Sequence, residues 1–429
     1  MSQSQPISHP HLGPPEGKTH VVVLGGGFGG LEFCKELDNS ERFHITLIDR
    51  QNHHLFQPLL YQVASAGLAA PEIAQPLRSI LSERTNLDVL MEEVTAIDLD
   101  GSEVTTSERT LNYDHLVIAL GVKTSYFGND HWADHSHGLK SLRDATQMRT
   151  EILKAFELAE ASDDEDEIRR LMTTVVIGGG PTGVELAGSF AELAQRVMAH
   201  DFRRINPRDT RIILVEGADR LLTMYPEDLS AYTKRCLEEK GVEVRVDSMV
   251  EDVGEGYVIV AGERIETANV LWAAGVEAPA IVRDLGVETD RAGRIKVKPD
   301  LSLPGHPDVF AIGDIVSLID ANGKAVPGLC PAAIQMGDYV ARHLSRGQTG
   351  PYKYRDKGSM ATIGRSAAVA ESGGAKFTGF VAWMMWLFIH LLFLIGFRNK
   401  VAVFWQWVYS YFTYRRGARI ITGVETSTG

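Results

Sequence analysis

Val21-Val22-Val23-Leu24-Gly25-Gly26-Gly27-Phe28-Gly29-Gly30-Leu31 decides the fold. Four apolar residues in a row, without alternation, read as a strand buried on both faces of a parallel sheet. Glycines at 25, 27 and 30 fit Gly-x-Gly-x-x-Gly, and Leu31, Cys34 and Leu37 then fall on one side of a helix. A second strand, Ile45-Thr46-Leu47-Ile48, ends at Asp49, 19 residues after the last glycine. A bare glycine pattern says little. Between a buried strand and a helix, with an acid closing the next strand, it predicts a dinucleotide cradle. The first glycine allows the tight turn, the second lets backbone approach a pyrophosphate, and the third lets helix pack on strand. The helix N-terminus supplies N–H donors and partial positive charge, and Asp49 accepts from a ribose.

The design recurs. Thr174-Val175-Val176-Ile177 leads into Gly178-Gly179-Gly180-Pro181-Thr182-Gly183, then a helical pattern over 184–200 with Val184, Ala187, Phe190, Ala194 and Val197 on one face. Ile212-Ile213-Leu214-Val215 ends at Glu216, 33 residues after Gly183. A carboxylate there accepts a 2′-hydroxyl and repels a 2′-phosphate, which favours NADH over NADPH. Two cradles in one chain imply a flavin and a nicotinamide, between which hydride passes without a protein nucleophile or metal. The acidic run Asp163–Glu167 between them reads as a solvated helix end or loop.

Composition narrows the chemistry. The 429 residues carry a formal charge of −13, which disfavours nucleic acid as a partner. Cys34, Cys236 and Cys330 are scattered, which excludes CxxC redox pairs and thiolate metal clusters and fits a reducing compartment. His53 and His54 lack companion ligands, so no metal site is expected. Residues 1–18, rich in Pro, Ser and His, read as a disordered leader with neither a signal h-region nor a transit pattern.

Beyond the glycine turns, Tyr113–Gly121 and Val309-Phe310-Ala311-Ile312-Gly313-Asp314 are further superfamily features. Narrower ones are Asn52-His53-His54-Leu55-Phe56-Gln57-Pro58, Trp272-Ala273-Ala274-Gly275-Val276, Ile363-Gly364-Arg365 and Gly396-Phe397-Arg398-Asn399-Lys400. On these the chain resembles the type II NADH dehydrogenases, single-subunit NADH:quinone oxidoreductases of the two-dinucleotide-binding flavoprotein superfamily. The resemblance covers nearly everything after residue 18.

It implies an α/β fold of two Rossmann-like domains, the second inserted in the first, with a C-terminal amphipathic membrane-docking region. The expected bounds are 19–122 with 291–346 for FAD, 123–290 for NADH, and 347–429 for membrane association. FAD would be held by Gly25, Gly26, Gly27, Phe28, Gly29 and Gly30, with Asp49, Arg50 and Val94 at the adenosine end. Gly313 and Asp314 would serve the ribityl chain. NADH would meet Gly178, Gly180, Gly183, Glu216 and Gly275. The family's quinone stretch resembles Cys330-Pro331-Ala332-Ala333-Ile334-Gln335-Met336-Gly337; Cys330-Pro331 replaces the usual Ala-Gln, so Gln335 carries over. Lys376 matches a lysine close to the flavin.

Glu185 divides the readings. A carboxylate in a helix's first turn gains about 0.3–1 kcal/mol from the dipole, and that alone could explain it. The resemblance instead sets its counterpart beside flavin and nicotinamide, assisting proton delivery to the quinone. Cys330 reads as a small apolar packing residue.

Residues 377–429 hold five bases against one acid and 14 of the 34 aromatics, including four of the six tryptophans. Within them, 377–397 are 21 residues without formal charge, about 32 Å as a helix, enough to cross about 30 Å of hydrocarbon. A spanning helix, a dimer-interface helix and a bilayer-surface segment all fit. The resemblance favours a monotopic homodimer on an anionic lipid surface at the cytoplasmic face of the cell membrane. Two other functions are open: a sulfide:quinone oxidoreductase, which needs cysteines bracketing the flavin, and a redox-responsive NADH-binding flavoprotein.

Overall fold

A computed structural model describes residues 15–39, 41–321, 323–413 and 416–421. The expected leader falls, up to residue 14, outside the described residues. The chain divides into two compact units, residues 1–54, 76–122 and 277–355 forming the first and 55–75, 123–276 and 356–429 the second. Both are α/β. Residues 55–75, 277–290 and 347–355 thus group differently from the expected bounds.

In the first unit a six-stranded sheet runs Ser302–Leu303, His306–Ala311, His115–Ile118, Thr19–Leu24, Phe43–Asp49, Leu87–Met91. Only Ser302–Leu303 is antiparallel to its neighbour. Val21, Val22, Val23 and Leu24 are fully buried, as a continuous apolar strand in the middle of a parallel sheet must be. The next strand in sequence pairs on one side of Thr19–Leu24 and His115–Ile118 pairs on the other. That makes this strand the topological switch point, where a crevice opens at the strand's carboxyl end. The helices Phe28–Glu36 and Cys330–Arg346 pack together closely enough that a Cβ on Gly337 would fall 2.3 Å from the Gly29 carbonyl oxygen.

The second unit repeats the plan with a sheet in the order His137–Gly138, Asn269–Trp272, Thr173–Ile177, Arg211–Val215, Val242–Arg245, all parallel. Its switch strand is Thr173–Ile177, every residue of it buried. The helix that follows is Pro181–Glu192, ending in one π-helical turn, Leu193–Val197. The single helix expected over 184–200 is therefore shorter and re-pitched at its end. The acidic run behaves as expected: Asp164 caps the helix Glu165–Leu171, its carboxylate accepting from the Asp166 and Glu167 N–H groups.

The C-terminal part of this unit is a three-stranded sheet, Ser359–Gly364, Ala367–Ser372 and Ala375–Thr378, followed by helices Gly379–Phe393 and Phe397–Thr413. The uncharged stretch is thus not one helix across its length: its first two residues end the strand Ala375–Thr378, and its helix, Gly379–Phe393, stops at the extended Leu394 before the next begins at Phe397. Gly396, at φ +86°, completes the connection between the two helices, in a region that costs side-chain-bearing residues strain. Among the described residues no helix is long and apolar enough to cross a membrane.

Candidate active site

Each switch strand ends in a glycine turn of the same construction. Gly25 and Gly178 adopt φ +102° and +107°, and a Cβ on either would lie 2.5 Å or 2.8 Å from the backbone of Ala119 or Ala273. The third glycine allows contact between helix and turn: a Cβ on Gly30 would be 1.9 Å from the Gly25 carbonyl, and one on Gly183 1.8 Å from that of Gly178. The middle glycines, Gly27 and Gly180, have nothing within 4 Å of a Cβ, so the space above each turn is open.

The strand-end acids complete each cradle. Asp49 accepts from the Gly26 N–H at 2.7 Å and the Gln51 N–H at 2.7 Å. Glu216 does the same with Gly179 N–H at 2.6 Å and Ala218 N–H at 2.8 Å. Burial pushes the Asp49 carboxyl up, and its two backbone donors pull it part of the way back. Arg50 is exposed and Val94 half-buried in the strand Val94–Asp98.

His54, which the sequence reads as positioning the flavin or its loop rather than binding a metal, lies in the short strand His53–Leu55. It is buried, and its Nδ1 donates to the Gly26 carbonyl at 3.0 Å, which fixes the tautomer. Its Nε2, left a bare acceptor, is buried with no partner among the described residues, and burial lowers the ring's pKa to about 4. An open glycine turn, helix-start N–H groups, a strand-end acid and an orphaned acceptor beside the turn together fit a dinucleotide's phosphates and polar edges. Further along the first unit, Gly313 (φ +81°) opens the short turn Gly313–Ile315, its N–H directed at the Met336 sulfur at 3.2 Å. Asp314 follows in that turn, 3.6 Å from where a Cβ on Gly328 would be. Cys330 begins the helix Cys330–Arg346. Gln335 spends its amide on both backbone groups of Arg355, at 3.0 Å and 2.9 Å.

In the second unit Glu185 is the fifth residue of the helix Pro181–Glu192, whose first turn holds no acid. The helix-dipole account therefore fails. Glu185 keeps some accessible surface, but its carboxylate is set deep, and burial raises its pKa to about 8. The residual access tempers the size of that shift, not its direction. The Thr362 N–H at 3.5 Å offsets part of it. The Trp386 indole also favours the charged form, without completing an ordinary hydrogen bond. Near neutral pH the group therefore holds a proton it can give away.

Ser189 and Glu192 follow Glu185 at i+4 and i+7, on the same helix face. Both line a cavity of about 100 Å³ that Tyr61, Thr362, Trp386 and Arg416 also line. Arg365 at 3.3 Å and Arg416 at 3.5 Å hold the Glu192 carboxylate. Arg416 also donates to the Ser65 carbonyl at 2.7 Å. Helical spacing could have pointed to Glu192 in the sequence; nothing there signals Arg416. Lys376 is exposed and ion-paired with Asp228 at 2.8 Å. Cys34 and Cys236 are both buried, and burial pushes the Cys34 thiol up to about 12. No group of three or more potential metal ligands occurs among the described residues.

The pyridine nucleotide-disulphide oxidoreductase family matches residues 19–337, and the NDH2 C-terminal domain family matches 357–416. The chain is 42% identical to the type II NADH:quinone oxidoreductase Ndh of Mycobacterium tuberculosis, over 97% of this chain and 93% of that one. It is 42% identical to the NdhA enzyme of the same organism, over 95% and 90%. Among solved structures, NDH2 from Plasmodium falciparum in complex with NADH superposes with a TM-score of 0.87 at 20% identity, covering 95% of this chain and all of that one. The sulfide:quinone oxidoreductase of Aquifex aeolicus superposes with 0.71 at 20% identity, covering 92% and 95%. At these identities the structures speak for the fold.

Proposed function

This chain belongs to the type II NADH:quinone oxidoreductase family, and we propose that it oxidises NADH through FAD and reduces a membrane quinone without pumping protons. One observation carries the reading: a single polypeptide holds two glycine cradles of matching geometry, each closed by a strand-end carboxylate on its own backbone. FAD, when bound, would supply the two-electron chemistry that links NADH oxidation to quinone reduction.

The rest falls to the chain's own groups. The first turn, Asp49 and His54 would hold FAD, with Gly313 and Asp314 serving its ribityl chain. The second turn, Glu216 and Gly275 hold NADH. Glu185, protonated near neutral pH, delivers a proton as the quinone becomes quinol, and water in the adjoining cavity lined by Ser189 and Glu192 restores it. Gln335 and Lys376 stay with their resemblance-based roles, each through a surface contact that must loosen to serve them.

The quinone is reached from the lipid side. Phe380, Met384, Phe388, Leu392, Phe397, Phe404, Trp405 and Phe412 are exposed on the two C-terminal helices, with Arg398 and Lys400 between them. An apolar face beside cations suits an anionic bilayer surface. As NADH is a water-borne substrate of the cell interior, the docking face is the cytoplasmic one, and a homodimer through these helices follows the family resemblance.

Stopped-flow mixing tests the whole reading. NADH is expected to bleach the flavin within the turnover time, and a quinone analogue to restore its colour. Bleaching without reoxidation would leave a redox-responsive binding protein. Sulfide-driven bleaching would favour the sulfide reading, which the two buried thiols disfavour. Flotation with anionic vesicles, lost when Phe388 and Trp405 become Ser, checks docking.

A further inference from the structure

Residues 125–129 turn beside the loop that leaves the strand Asn269–Trp272, the Ser125 N–H donating to the Gly275 carbonyl at 3.4 Å. The Asn129 N–H donates to the Tyr126 carbonyl at 3.0 Å, closing a four-residue turn whose central residues are Phe127 at φ +54° and Gly128 at φ +90°. Positive φ at both central positions is type I′ geometry, which favours Asn-Gly, Asp-Gly or Gly-Gly. A bulky aromatic residue there is a genuine outlier. Burial does not compensate, because Phe127 is 67% exposed. Its neighbours Trp132 and Trp272 are buried in the unit's core, with Tyr126 packed against them. An apolar ring kept strained and facing water is what ligand clamps preserve.

Its position indicates the ligand. The ring lies against Gly275, where a Cβ would fall 2.4 Å from Phe127 Cζ. Gly275, at φ +76°, follows the strand Asn269–Trp272, which pairs with the strand that opens the second glycine turn. A Cβ on Gly178 would in turn meet Ala273 at 2.8 Å. Phe127 therefore stands at the rim of the second cradle. Trp272 anchors both sides of that rim, its indole N–H shared between the Ser125 carbonyl at 2.9 Å and the Ala274 carbonyl at 2.5 Å. The Phe127 N–H is held by Ser125 Oγ at 3.3 Å.

We propose that Phe127 is an aromatic cover of the second cradle, stacking on a planar ring of the bound dinucleotide and setting its affinity. The inference rests on reading that cradle as the NADH site. It goes beyond that reading by naming a residue that no glycine motif contains.

The test is Phe127→Asn beside Phe127→Tyr in the flavin-loaded enzyme. Asparagine suits the turn better, so Phe127→Asn is expected to melt at a higher temperature while its KM for NADH and Kd for NAD+ each rise roughly tenfold, the worth of one lost ring stack. Phe127→Tyr, keeping the ring, is expected to stay within about twofold of wild type. A ring that merely supported the turn would give the opposite pattern, with affinity unchanged as stability moved, and that result overturns the cover. The wild-type control separates the two levels. If wild type binds NAD+ and Phe127→Asn binds it equally well, the cover alone falls; if wild type binds neither NADH nor NAD+, the reading of the cradle falls with it.

Discussion

The two glycine turns carry a glutamate at the same place. Counting from Gly25 and from Gly178, Glu32 and Glu185 are both the eighth residue of their copies. Glu32 lies on a solvated face, pairing with Lys35 at 3.3 Å, and such exposed pairs contribute at most about 1 kcal/mol. Glu185 lies under Thr362 and Trp386, and burial takes its pKa to about 8. Spacing and residue type are identical; only what packs over the helix differs. The first helix lies against Cys330–Arg346 and leaves the Glu32 side chain 24% exposed, whereas a Cβ on Gly188 of the second would meet the Ile363 carbonyl at 2.4 Å. On the proposed function, the same local motif serves as a phosphate cradle twice and as a proton donor once, because of the sheet that covers one copy.

The largest effects fall on what the copies share. Gly30→Ala puts a Cβ within 1.9 Å of a carbonyl oxygen, and is expected to yield protein without flavin absorbance. Gly183→Ala meets its carbonyl at 1.8 Å, and is expected to keep the flavin yet lose its reduction by NADH. If both variants lost flavin equally, the assignment of one ligand to each copy would fail.

Next come the paired glutamates. Glu185→Gln is expected to slow flavin reoxidation by quinone roughly 100-fold, with the NADH half-reaction intact. Glu32→Gln is expected to change turnover by less than about twofold. Equal effects would erase the distinction just drawn. A smaller effect belongs to the strand-end acids. Glu216→Gln is expected to narrow the preference for NADH over NADPH by roughly tenfold, while Asp49→Asn weakens flavin retention and leaves that preference alone.

The smallest effect is on stability. Glu185 has its folded pKa raised from an ordinary value near 4.5 to about 8. Between those values the unfolded chain holds fewer protons, so this residue lowers stability as pH climbs through the window. Glu185→Gln lacks that loss. Allowing for its partial solvent access, the variant is expected to be more stable than wild type by on the order of 1 kcal/mol at pH 8. The gap is expected to close below about pH 4.5, and thermal melts across that range check it.

Much of this was legible in the sequence. Unbroken apolar runs before glycine triplets specify central parallel strands, and both cradles stand where the glycines put them. The strand-end acids were legible too, because a parallel strand must end where its turn begins. What the sequence left hidden depends on contacts far apart in the chain. Charge counting along 377–397 allowed one long helix, but its first residues pair in the strand Ala375–Thr378 and the chain turns extended at Leu394, neither of which composition reveals. Glu185 could be placed on a helix from its spacing, yet its burial under Thr362, 177 positions away, is tertiary. Arg416 reaches Ser65 across 351 positions, beyond any local pattern.

The break between the two C-terminal helices has a bearing on lipid choice. A helix of 15 residues, about 22 Å long, followed by a turn to a second helix cannot be stretched or compressed by a bilayer's thickness. Hydrophobic mismatch, which sorts spanning proteins among membranes, has nothing to act on under the proposed docking of these two helices on a single leaflet. On that proposal, acyl-chain length is free to vary with growth temperature while the buried apolar area and the headgroup charge together tune how firmly the molecule is held.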